Sequence, residues 1–167
     1  DKMIAAVEKL SVGYYFTGRE EYATRAGEIP GLWFIDPKTK INPNLEFAQA
    51  IPGLNTGRGI GIIETRGMVK VVDVVGLLEG SPSWSKADQA GVEDWFARYL
   101  KWLRESKNGR DEAEAKNNHG TFYDVQVVSF ALFTGQNDLA RNILESAKQK
   151  RIARQIEPDG RDRKSVE

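Results

Sequence analysis

Ten consecutive residues, Asn117-Asn118-His119-Gly120-Thr121-Phe122-Tyr123-Asp124-Val125-Gln126, bring together amides, an imidazole, a phenol and a carboxylate, and they hold the only histidine of the chain. Histidine supplies an acid or base near neutral pH, asparagine supplies uncharged donors to an anionic oxygen, and tyrosine can carry a proton. Together these are the parts needed to remove a proton from a carbon beside a carboxylate. A histidine standing alone is more often structural than catalytic, and the weight here comes from its neighbours. Structural roles fit the same residues: Asn117 as a helix N-cap, Asn118 as a turn former, His119 on a backbone carbonyl, Asp124 orienting a ring or capping the helix start. From the residues alone the two readings stand level.

The motif lies where a charged, loop-like stretch (Arg110 to Asn117) gives way to an apolar run, so helices must position it. After His119, the spacing of Val125, Val128, Leu132 and Phe133 predicts a helix stopped by Thr134-Gly135. Asn137 or Asp138 starts the next, with Leu139, Ile143, Leu144 and Ala147 inside. Upstream, Ile4, Val7, Leu10, Tyr14 and Tyr15 predict an amphipathic helix ending near Gly18. A second runs from Glu20 towards Trp33-Phe34-Ile35, with Pro30-Gly31 breaking or kinking it. The long Pro/Gly-rich connection from Asp36-Pro37 to Gly59 reads as a functional loop, and Phe47, Ile51 and Leu54 argue that it packs. Between Ile60 and Leu78 the β-branched residues favour a strand. Met68, Val71, Val72, Val75 and Leu78 nevertheless keep helical spacing, with Lys70 and Asp73 opposite, and helix is the reading adopted. Ser83 or Ser85 caps a helix from Lys86 to Glu105 that buries Trp95, Phe96, Tyr99, Trp102 and Leu103, and Asn108-Gly109 ends it. No convincing strand remains. The expected class is all-α, and a spacing of roughly 40 residues between helical hairpins fits a toroid or solenoid.

At 167 residues, 40% hydrophobic and 29% charged, the chain has the composition of a soluble globular domain with one core and offers no case for two. Basic and acidic residues balance at 24 each, which gives no support to long-range attraction to nucleic acid. The absence of cysteine excludes disulfides and thiolate metal sites but not an oxidising compartment. No membrane association is expected, since the longest apolar-rich stretch, Met68 to Leu78, is interrupted by Lys70 and Asp73. The chain opens inside a helical pattern and closes on a hydrophilic tail at 161–167, which reads as a fragment of a longer protein.

Other constellations are weaker. Gly57-Arg58-Gly59-Ile60-Gly61 suggests a phosphate loop but has no preceding strand and lacks the Walker Lys-Ser/Thr pair, so a glycine-rich helix start is the better reading. Arg58 is retained as a residue able to meet an anionic ligand. Trp95, Phe96, Tyr99 and Trp102 fall at core spacing, whereas Trp33 and Trp84 stay open as sugar-stacking platforms. One histidine, no cysteine and no suitably spaced carboxylates argue against a metal site.

The run NNHGTFYDVQ at 117–126 resembles the signature of the alginate lyase superfamily, helical polysaccharide lyases that act on uronate polymers. Supporting pieces stand in matching order: Trp33-Phe34-Ile35-Asp36-Pro37, then Asn42 to Gly53, then Gly57 to Ile63. Trp95-Phe96, Tyr99-Leu100, Trp102-Leu103, Arg151-Ile152, Gln155-Ile156 and Pro158-Asp159-Gly160 follow. The resemblance implies an incomplete (α/α) toroid over 1–160, with 161–167 as a hydrophilic tail. It also implies β-elimination on alginate that leaves unsaturated uronate ends, without cofactor or metal. Asn118 would neutralise the uronate carboxylate, and His119 would act as base or second neutraliser. Asn117, Tyr123 and Arg58 are the expected substrate-binding residues, and a periplasmic or extracellular location follows from family habit.

The family pattern continues past Pro-Asp-Gly into an Arg that neutralises the carboxylate and a Tyr that serves as acid and base. This chain turns instead into Arg161-Asp162-Arg163-Lys164, and neither role passes to Arg161 or Arg163. Tyr123 is not the family's catalytic tyrosine. A catalytically silent glycan-binding helical domain is therefore the alternative, and a scaffold for protein partners a third reading.

Overall fold

The computed structural model describes residues 2–161, so residues 162–167 of the expected tail lie outside the described residues. Eight α-helices are named in chain order: α1 (Lys2–Thr17), α2 (Glu20–Pro30), α3 (Met68–Val75), α4 (Lys86–Glu105), α5 (Lys107–Ala113), α6 (Asn118–Phe133), α7 (Asn137–Ala147) and α8 (Ala153–Gln155). Extended pairing is limited to isolated bridges, as between Ile51 and Asn55, and no strand is found among the described residues. The all-α expectation holds.

The helical contacts separate into two compact units. The first contains the chain up to Asn44 and Gly67–Trp102. In it α1 packs on α2 and α3. Phe34, Trp95 and Phe96 form an aromatic core, with the Phe34 and Trp95 centroids 4.8 Å apart and the Trp95 and Phe96 rings edge to face. Trp95 also donates its indole N–H to the Ile41 carbonyl at 2.8 Å, a partner that its burial requires. The helical spacing read between Met68 and Leu78 places Met68, Val71, Val72, Val75 and Leu78 in this core.

That stretch is not one helix. Gly59–Thr65 is a 3-10 segment, α3 follows, and Gly76–Leu78 returns to 3-10. Glycines at 67 and 76 flank α3, where helix propensity is lowest. The helix α2 ends at Pro30, in keeping with the break or kink expected at Pro30-Gly31. Lacking an N–H, the proline passes the chain into a single π turn at Gly31–Ile35, closed by Asp36 N–H on the Gly31 carbonyl at 2.9 Å. Trp84 is buried and Trp33 is 41% exposed.

The second unit contains Leu45–Arg66 and the chain from Leu103 onward. Here α6 packs on α7, and α5 packs on α6 and on the 3-10 segment at Gly59–Thr65. Three sequence expectations fail in this unit. Asn108-Gly109 does not end α4; Ser106 caps a new helix by accepting the Gly109 N–H at 2.9 Å. The supposed loop from Arg110 is therefore helical as far as Ala113. Nor do the apolar side chains of the long loop pack as expected, since Phe47 is 73% and Leu54 76% exposed. The loop is held by close backbone approach instead. A Cβ on Gly57 would overlap the Glu46 carbonyl, and one on Gly59 would stand 2.7 Å from the Asn108 carbonyl. The glycine-rich motif is thus a packing device, as its failure as a phosphate loop suggested.

Candidate active site

Asn117 sets the geometry of the motif. Its backbone is extended (φ −110°, ψ −161°), and its Oδ1 accepts the His119 N–H at 3.0 Å. This is the N-cap reading, and it satisfies one of the amide groups a helix start leaves free. The cap puts Asn118 and His119 in the first turn of α6. Asn118 is exposed.

His119 does not bond a backbone carbonyl. Its Nδ1 lies 2.8 Å from Oε1 of Glu112, in the last turn of α5. The two side chains are unequal in exposure, 25% for His119 against 1% for Glu112. The second carboxylate oxygen of Glu112, Oε2, is buried without a hydrogen-bond partner. Burial pushes the Glu112 carboxyl above the ordinary glutamate range, and the contact with His119 pulls it back. Glu112 is hidden from the sequence because the charge of 110–117 reads as loop, whereas α5 runs to Ala113. The available signal was its separation of seven from His119, two helical turns that a break at the cap folds into contact.

The rest of the motif holds α6 in place. A Cβ on Gly120 would collide with the Ala115 carbonyl and with Arg151, so only glycine lets that arginine pass. Arg151 is buried and pairs bidentately with Asp124, Nε to Oδ2 at 2.6 Å and Nη2 to Oδ1 at 3.1 Å. It also donates to the carbonyls of Ala113 and Ala115, both at 2.8 Å, which closes the end of α5. Asp124 therefore neither orients a ring nor caps the helix. Gln126, fully buried, accepts Thr65 Oγ1–H at 2.7 Å and donates towards the Phe122 carbonyl at 3.3 Å.

All three expected substrate contacts are engaged within the protein, Asn117 as the cap of α6. Tyr123 is 6% exposed and donates its hydroxyl to the Leu103 carbonyl at 2.9 Å. Burial, then the charge of Asp124, pushes its phenol up to about 12, so it is no proton carrier near neutral pH. Arg58 is half-buried and bonds Gln49 twice, Nε to the backbone carbonyl at 2.9 Å and Nη2 to Oε1 at 3.2 Å. The cation beside the helix start is instead Arg66, unmentioned by the sequence reading, 5.8 Å from the centroid of the Phe122 ring. Phe122 lies one turn along α6 from Asn118 and is 37% exposed. Among the described residues no three His, Cys, Asp or Glu side chains gather as metal ligands.

An exposed amide beside an imidazole that is gripped from behind can bind a carboxylate and exchange a proton. The same all-helical frame is found in a solved lyase, an alginate lyase from Bacteroides ovatus, which is 40% identical and superposes with a TM-score of 0.92 over 96% of this chain. The family model described as alginate lyase matches residues 1–165, and the chain belongs to that family. It spans 43% of the length of the Bacteroides ovatus chain. A comparison with curated proteins gives no match.

Proposed function

We propose that this protein is a polysaccharide lyase that cleaves a uronate polymer, alginate first among them, by β-elimination at Asn118 and His119. In this reading residues 1–160 serve as the lyase-like helical domain and 161–167 as a hydrophilic appendage. The observation that carries it is the pairing of an exposed Asn118 with a part-exposed His119 in one helical turn of a family member.

The chemistry follows from the substrate. The C5 proton of a uronate is weakly acidic because its carbanion would sit beside a carboxylate already negative. An amide donor from Asn118 on that carboxylate offsets the developing enolate charge. His119 takes the C5 proton through Nε2, the C5–H pair forms the C4–C5 double bond, and the C4–O bond breaks. The leaving oxygen collects a proton, and the new non-reducing end is an unsaturated uronate. Arg66 adds positive charge near the same turn, while Asn117, Arg58 and Tyr123 serve the frame that presents the pair. A uronate polymer as substrate supports a periplasmic or extracellular location. Among the described residues no helix is long and apolar enough to cross a membrane.

The test is ultraviolet detection of unsaturated uronate released from alginate by the whole protein, beside its Asn118→Ala and His119→Ala variants. Removal of the base lowers kcat by about 10²–10⁴-fold. Removal of the amide donor lowers it by about 10²–10³-fold. A folded protein that releases no unsaturated product from any uronan overturns the reading, and saccharide binding without turnover would then assign a silent glycan-binding domain.

A further inference from the structure

We infer that Glu112 is the positioning residue of the site: it fixes the tautomer of His119, holding the proton on Nδ1 so that Nε2 presents a lone pair to substrate. Three observations carry this. The Glu112 carboxylate oxygen lies 2.8 Å from Nδ1 and leaves Nε2 as the ring nitrogen for a ligand. Glu112 is 1% exposed where His119 is 25% exposed, so the carboxylate stands behind the ring and the ring stands towards solvent. With Oε2 buried and unpartnered, His119 Nδ1 is, among the described residues, the side-chain partner of this carboxyl group, and a buried carboxylate has strong need of a donor there.

The backbone supports this arrangement. Ser106 caps α5, and Gly109 lets it turn tightly against the Leu103 carbonyl. Arg151 then ties the carbonyls at the end of α5 to Asp124 of α6. Glu112 and His119 are thereby held from both sides of the break between the two helices. An unconstrained neutral histidine prefers its proton on Nε2, the tautomer that cannot accept a proton there. A carboxylate on Nδ1 reverses that preference, the same logic by which a carboxylate orients the base of a hydrolase triad. Glu112 touches no substrate in this scheme and acts only through His119.

The catalytic consequence rests on the lyase reading, whereas the tautomer does not. Because the chain has one histidine, nitrogen-15 NMR of the ring reads the tautomer without assignment. At a pH where the ring is neutral, the expected spectrum shows Nδ1 protonated and Nε2 bare. In Glu112→Ala the proton moves to Nε2, and kcat of the whole protein falls about 10- to 100-fold with KM little changed. A wild-type spectrum with the proton on Nε2 overturns the inference even if the variant does not fold. So does a folded variant with an unchanged tautomer. An Nδ1–H ring in a protein that cleaves no uronan would keep the pair and remove the lyase reading; an Nε2–H ring in an active lyase would do the reverse.

Discussion

His119 and Glu112 form a unit in which neither residue can be removed without consequence for the other. Under the proposed lyase reading His119→Ala removes the base, and it also leaves a carboxylate that is 1% exposed without the ring nitrogen beside it. An orphaned buried acceptor costs roughly 1–3 kcal/mol, so His119→Ala will lower stability as well as activity. Adding Glu112→Leu removes the orphan, and the double variant will be the more stable of the two in urea denaturation. If the single variant is as stable as wild type, the carboxylate is not relying on the imidazole. Tyr123 gives a second prediction, from pH. Its phenol loses the proton at about 12 in the folded protein, against 10.0 for an ordinary tyrosine. Between those values the folded state holds more protons than the unfolded one, so stability falls as pH rises. Tyr123→Phe removes that dependence, and alkaline denaturation curves of the two proteins will converge above pH 10. Curves that run parallel would show that the hydroxyl titrates normally.

The elements matter through where they stop. The helix read from Lys86 to Glu105 stops there, and Ser106 and Gly109 start α5 where a loop was expected. A Cβ at Gly109 would collide with the Leu103 carbonyl, which also accepts the Tyr123 hydroxyl. That carbonyl belongs to backbone and cannot swing aside. Gly109→Ala will therefore destabilise by at least the roughly 1–3 kcal/mol typical of overpacking, and it will displace Glu112 from His119. The check is a thermal melt together with the His119 ring spectrum; a stable variant with an unaltered spectrum would mean that α5 tolerates the shift. Position 109 was legible as a helix terminator and illegible as a helix interior, because glycine allows both and only the Leu103 carbonyl decides.

Across the whole chain, one arginine links elements far apart in sequence. Arg151 reaches Asp124, Ala113 and Ala115 while buried. Truncating one member of such a buried pair strands the other, at about 3–5 kcal/mol. Arg151→Ala will thus lose much of the stability of the second unit, measured as the urea midpoint, and Asp124→Ala in the same background will cost little more. Additive losses would show that the two residues act separately. What the amino-acid sequence determined alone is what repeats locally. Helical spacing fixed the buried face of Met68 to Leu78 and, in α4, Trp95, Phe96, Tyr99 and Leu103, whereas Trp102, expected with them, is only half-buried; the run at 117–126 marked the family but left Asn117 open between cap and site. What only the tertiary structure decided is who meets whom: Glu112 behind His119, Arg151 on Asp124, Tyr123 turned inward, and Phe47 and Leu54 left in solvent. Periodicity depends on residues within a turn or two of one another. Partners depend on where helices break and on the clearances at Gly57, Gly109 and Gly120, distances set by chain segments that no local window contains.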